Sequence, residues 1–84
     1  MYILGSNYFF GSGGIPKDLE KAVYWLTAAA EREDEEAMDL LGFCYENGLG
    51  VEEDEDAALY WYRCAADCGS KAAAERLKER QDDE

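Results

Sequence analysis

The stretch LGFCYENGLGVEEDEDAALYWYRCAA, residues 41–66, decides the fold, because the chain carries it twice. LGSNYFFGSGGIPKDLEKAVYWLTAAA, residues 4–30, aligns beneath it. Leu4 falls under Leu41, Gly5 under Gly42, Tyr8 under Tyr45, Gly11 under Gly48 and Gly13 under Gly50, each pair 37 apart. After one additional loop residue, Gly14, the spacing becomes 36. Asp18 then meets Asp54, Ala22 meets Ala58, Trp25 meets Trp61, Ala29 meets Ala65, Ala37 meets Ala73 and Leu41 meets Leu77. Self-similarity at such a period marks a solenoid, in which each unit buries its apolar face only by stacking on its neighbour. Within each unit a helical stretch, a Gly-x-Gly turn and a second helical stretch follow one another.

These matched positions form the pattern A-x-x-x-L-G-x-x-Y-x-x-G-x-G-V-x-x-D-x-x-x-A-x-x-W-Y-x-x-A-A, which resembles the Sel1-like repeat, a relative of the tetratricopeptide repeat. The resemblance extends to about Leu77. It implies an all-α, right-handed α-solenoid of antiparallel helix pairs, here two Sel1-like repeats plus a C-terminal capping helix. It also implies a non-catalytic protein–protein interaction scaffold. Residues 1–80 then make one domain, with repeat one at about 1–33, repeat two at about 34–69 and the capping helix at about 70–80. Residues 81–84 are expected to be a flexible acidic tail.

A chain of 84 residues folds as one domain and buries only about 60% of its unfolded surface. The balance of 20 acidic against 8 basic residues, a net charge of −12, argues against nucleic-acid and anionic-membrane binding, which need Lys and Arg. It favours a basic partner. No apolar run is long enough to cross a bilayer, and no basic segment precedes an apolar one at Met1. Three cysteines, an odd number, fit a reducing compartment, so the expected location is cytoplasmic.

In chain order, residues 2–10 form a first helix whose cap position would fall before Met1, and it is expected to fray and to leave an adhesive end open to self-association. Gly11 closes this helix, and Pro16 forbids another until the chain has reversed. Ile15 and Val51 occupy matching loop positions and are expected to plug the gap between paired helices. Asp18, Asp34 and Asp54 are N-cap residues, as is Ser70 before the last helix. The second helices run from about Asp18 to Arg32 and from about Asp54 to Cys68. On them Ala22, Trp25, Leu26 and Ala29, and then Ala58, Trp61, Tyr62 and Ala65, lie on one side at spacings of three and four. The structural core is expected to contain these alanines and tryptophans together with Leu4, Tyr8, Leu41, Tyr45 and Leu77, with Trp filling the volume between layers. Gly5 and Gly42 lie inside helices, where glycine costs about 1 kcal/mol. That cost is tolerable only where another backbone packs there, and the paired second helix is expected to supply it. Lys78 stands at this position in the last helix, as suits a polar cap.

Catalysis finds no support: there is no His, no nucleophile beside a base, and no Gly-rich loop between a strand and a helix. No cofactor and no metal are expected. The acids at 31–36 and 52–56 sit at helix starts, where they favour the helix dipole. A calcium loop counted from Asp54 would put Leu59 and Ala65 where Gly and Glu are needed. Cys64 and Cys68 share a helix face and Cys44 lies elsewhere, a spacing that suits packed thiols better than zinc.

The candidate binding surface comes from a helical wheel of residues 34–47. Ala37, Leu40, Leu41, Cys44 and Tyr45 take its inner side, and Glu36, Asp39, Phe43 and Glu46 the outer. Carried to the first helix, the outer face reads Tyr2, Ser6 and Phe9, with Phe10 on its flank. Carried to the last, it reads Ala72, Glu75, Glu79 and Asp82. One surface therefore runs from aromatic to acidic, and the resemblance to tetratricopeptide arrays implies that it lines the concave groove. The expected partner is a protein or peptide that is basic with apolar anchors. An alternative function is an acidic inhibitor, a decoy that imitates nucleic acid and occupies a basic protein.

Overall fold

The computed structural model describes residues 2–11, 14 and 16–82, with side chains as far as residue 79. They form five helices and no strand: α1 (Tyr2–Phe10), α2 (Leu19–Glu31), α3 (Glu35–Asn47), α4 (Glu55–Asp67) and α5 (Lys71–Asp82). Each helix packs against the next in sequence, and α1 also touches α3. The result is an all-α solenoid of stacked helix pairs, extended along one axis at 42 × 23 × 17 Å. The last helix runs to Asp82, through half of the expected tail. Ile15 and residues 83–84 lie outside the described residues.

The caps repeat as the sequence does. Asp18 Oδ1 accepts from the Lys21 N–H and Asp54 Oδ1 from the Ala57 N–H, at 3.2 and 3.1 Å. Asp34 Oδ1 accepts from the N–H groups of Glu36 and Ala37. Ser70 Oγ accepts from the Ala73 N–H at 3.2 Å. Each acceptor satisfies a donor that the first helical turn leaves open. The backbone N–H of Asp18 bonds the Tyr8 carbonyl, and that of Asp54 bonds the Tyr45 carbonyl, at 2.9 and 3.0 Å. Cap and hairpin closure are therefore one structure, built twice. Between pairs the turns differ: Gly69 takes φ 111° in one and Glu33 takes φ 67° in the other. A side chain pays for that left-handed conformation with about 1 kcal/mol or more.

The core holds Ala22, Leu41, Ala58 and Ala65, all fully buried. Leu4, Tyr8, Trp25, Tyr45, Trp61 and Leu77 are half-buried at its margin. The large fully buried side chains are Tyr62, Leu26 and Leu41. The space between layers that bulk alone assigns to tryptophan thus belongs to the residues next to it, Leu26 and Tyr62. The reason lies opposite them. A Cβ placed on Gly42 would stand 2.8 Å from the Tyr62 ring, and one on Gly5 would stand 3.0 Å from the Leu26 side chain. Each helical glycine is a recess into which the paired helix inserts a side chain, and at Gly5 the Leu26 backbone nitrogen also lies 3.1 Å from that Cβ position. Trp25 and Trp61 lie instead edge-to-face with the exposed Tyr24 and Tyr60, at 5.2 and 5.0 Å between ring centroids.

Candidate functional site

The stacking of α1, α3 and α5 leaves an open groove of about 420 Å³ along one side of the solenoid. Tyr2, Phe9 and Phe10 line it from α1, and Glu36, Asp39, Leu40 and Phe43 from α3. Arg76 enters from α5.

At the α1 end the surface is aromatic. Phe9 meets Phe10 edge-to-face at 4.8 Å and Phe43 at 6.4 Å, so the three rings form one cluster that lines the groove. Phe10 is 63% exposed, an unusual state for a phenylalanine on a helix. Burial pushes the Tyr2 hydroxyl above its ordinary range, the carboxylates of Glu36 and Asp34 add to the rise, and a hydrogen bond with Ser6 opposes it. Ser6 itself is half-buried beside the groove.

At the α5 end the surface is ionic. The Arg76 guanidinium lies 5.7 Å from the Phe43 ring centre and 5.5 Å from that of Tyr62. Its Nε stands 3.7 Å from Asp39 Oδ1 and its Nη1 4.0 Å from Glu46 Oε1. Glu46 Oε1 also accepts from the Tyr62 hydroxyl at 3.0 Å. Asp39 Oδ2 accepts from Ser70 Oγ at 3.4 Å, whereas Asp39 Oδ1, shielded from water, receives no hydrogen bond.

The groove gathers Tyr2, Phe9, Phe10, Glu36, Asp39 and Phe43. Glu46 stands behind it, holding Tyr62 and Arg76. Glu75 and Glu79 are exposed and lie outside the groove lining. The last helix therefore offers the groove a cation where the wheel drew acids. Ala73, fully buried, and Leu77, packed on the core, set the rotation of α5 and leave Arg76 facing α3. Leu40 packs against the core, as its inner position on the wheel expects, and also reaches the groove. The signal for both was present: Leu40 and Arg76 are 36 apart and occupy the same repeat position. That position flanks the neighbouring first helix, a third kind of surface that an inside–outside wheel does not have.

Among the described residues, no group of three or more His, Cys, Asp or Glu is placed to hold a metal ion. The three cysteines are free thiols, and burial pushes that of Cys44 up to about 11. No helix among the described residues is long and apolar enough to cross a membrane.

The Sel1 repeat model matches residues 1–34 and 35–70. This chain belongs to the Sel1 repeat family. Its Sel1 repeats are 40% identical over 78 residues to chitin synthase regulatory factor 3 of Schizosaccharomyces pombe, covering 92% of this chain and 8% of that protein. They are 39% identical over 61 residues to the DAP3-binding cell death enhancer 1 of Rattus norvegicus, covering 73% of this chain and 12% of the relative. Among solved structures, a Sel1 repeat protein from Oxalobacter formigenes superposes with a TM-score of 0.88 at 35% identity, over 93% of this chain and 22% of the other. The Sel1 repeats described here therefore span a small part of the length of these relatives.

Proposed function

We propose that this Sel1 repeat chain is a non-catalytic protein-recognition module, and that its groove binds a segment carrying an apolar side chain next to basic residues. The observation that carries this reading is the Phe9, Phe10 and Phe43 cluster that lines the groove beside the carboxylates of Glu36 and Asp39. Aromatic anchors ringed by polar groups are the usual composition of binding hot spots. Glu36 at the rim and a net charge of −12 select for a basic partner and speed its approach. The relatives support the class of function: one is named a regulatory factor and the other is named for a protein that it binds.

The test compares Phe43→Ala with Tyr24→Ala as baits for partner capture, alongside their melting curves. Phe43→Ala is expected to lose its partners, with binding weakened by about 2 kcal/mol or more. Its stability should fall by only about 1 kcal/mol, since the ring is half-exposed. Tyr24→Ala should retain the partners. If Phe43→Ala melts far below the parent while still capturing the same partners, the ring is structural and the groove is not the recognition surface.

The decoy reading draws on the net charge and on acids dispersed at both ends of the helices, and Arg76 already engages two of the acids on the groove side, Asp39 and Glu46. Salt separates the two readings. A decoy loses its basic partner steeply as ionic strength rises, whereas an aromatic anchor keeps much of its affinity.

A further inference from the structure

The α3–α5 end of the groove already holds a guanidinium, and this shows which chemistry it accepts. Two aromatic faces, Phe43 and Tyr62, flank the Arg76 head group, and two carboxylates, Asp39 and Glu46, surround it. Planar cations stack on rings, and a fork of N–H donors matches a carboxylate. The resident fills this place incompletely. Its contacts of 3.7 and 4.0 Å are longer than the roughly 2.8 Å of a charge-assisted hydrogen bond, and Asp39 Oδ1 is screened from water without a donor. The Arg76 side chain is 42% exposed. Pairs held this loosely near solvent contribute little, so their release costs little. A flexible side chain can swing out without moving α5, whose packing rests on Ala73 and Leu77.

We propose that this end of the groove is a recognition subsite for a partner's arginine, and that Arg76 is its intramolecular occupant, displaced when the partner binds. The inference rests on the groove being the recognition surface. It defines the partner more closely: a segment whose apolar side chain reaches the Phe9–Phe43 cluster while a neighbouring arginine takes the place of Arg76 and satisfies Asp39 Oδ1. Arginine is specified over lysine because a guanidinium can lie over the Phe43 ring face and donate as a planar fork, whereas an ammonium is a compact point charge.

The test is a titration of the full chain with three blocked dipeptides, acetyl-Leu-Arg-amide, acetyl-Leu-Lys-amide and acetyl-Leu-citrulline-amide. Nuclear magnetic resonance follows the Phe9 and Phe43 ring signals and the Arg76 Nε–H signal. The arginine peptide should shift both sets and bind roughly fivefold tighter than the citrulline peptide, with the lysine peptide between them. Arg76→Gln should bind the arginine peptide about threefold tighter than the parent, and Arg76→Lys should show a smaller gain. Equal binding of the arginine and citrulline peptides, with only ring signals moving, overturns the arginine subsite and leaves the groove standing. An arginine affinity that is unchanged or lower in both Arg76 variants overturns displacement. Ring signals that stay still with every peptide overturn the groove as well.

Discussion

The groove contains two junctions between first helices, α1 against α3 and α3 against α5, and they use the same repeat positions for opposite chemistry. Tyr2 and Phe9 on α1 correspond to Asp39 and Glu46 on α3, 37 residues on, and Leu40 on α3 corresponds to Arg76 on α5, 36 residues on. The first junction is aromatic against leucine, and the second is carboxylate against guanidinium. A solenoid thus keeps its scaffold residues in step while the residues between stacked helices vary as matched sets. A recognition surface can change along the array without any change to the frame that carries it.

The frame should answer most strongly. Tyr62→Ala removes the fully buried ring seated on Gly42 and is expected to cost about 3–5 kcal/mol, a large share of a small domain's stability. Trp61→Ala, one residue along, should cost about 2 kcal/mol, because its indole is half-exposed. Denaturant melts of the pair decide it. Equal losses would return the interlayer space to tryptophan.

The two repeats also differ in what titrates. Cys44 is fully buried with its thiol raised from 9.0 to about 11, whereas its counterpart in repeat one, Asn7, has no proton to lose. The folded state holds the Cys44 proton more tightly than the unfolded state does. Its contribution is therefore complete below pH 9 and is lost as pH rises toward 11. The loss is on the order of 2 kcal/mol. Melting curves taken across this range should slope downward in the parent and less steeply in Cys44→Ala, where the buried Tyr62 hydroxyl still titrates, and identical slopes would show that the thiol does not contribute.

Next come the recesses. Gly42→Ala drives a methyl group into the Tyr62 ring and should destabilise by about 1–2 kcal/mol. Gly5→Ala should cost less than Gly42→Ala, since its contacts with the Leu26 side chain at 3.0 Å and the Leu26 backbone nitrogen at 3.1 Å are less severe and alanine regains about 1 kcal/mol of helix propensity. A Gly42→Ala protein as stable as the parent would show that the ring can move aside.

The junctions themselves give the smallest effects. Leu40→Ala should cost about 1–2 kcal/mol through lost apolar burial, and Arg76→Ala less than about 1 kcal/mol, because its ion pairs are partly exposed. Raising salt should narrow the Arg76 effect and leave that of Leu40 unchanged. The reverse order would make the ionic junction the stronger one.

Much of this was legible in the residues. The period placed both helix pairs, the three aspartate caps and Ser70, because capping chemistry is local and depends on one side chain and the next turn. The aromatic half of the groove was legible too, since Phe9 and Phe43 break the polar pattern of a helix exterior. Arg76 was not, because its orientation follows from how Ala73 and Leu77 seat α5, a tertiary effect. Tyr62 lost to Trp61 in a reading by size, whereas the structure selects by fit to the Gly42 recess. The left-handed Glu33 leaves a trace only through its counterpart Gly69, 36 residues on.

One contact fixes a dimension of the array. Gly50, in the loop before α4 with φ 77°, lies so close to Leu19 at the start of α2 that a Cβ would run into the Leu19 carbonyl. Here repeat two meets repeat one backbone to backbone. Such a contact has no side chain through which its length could drift, so it acts as a mechanical stop that sets the pitch of the stack. The groove lies across that same stack, and this spacer between its repeats sits in a loop that forms no part of its lining.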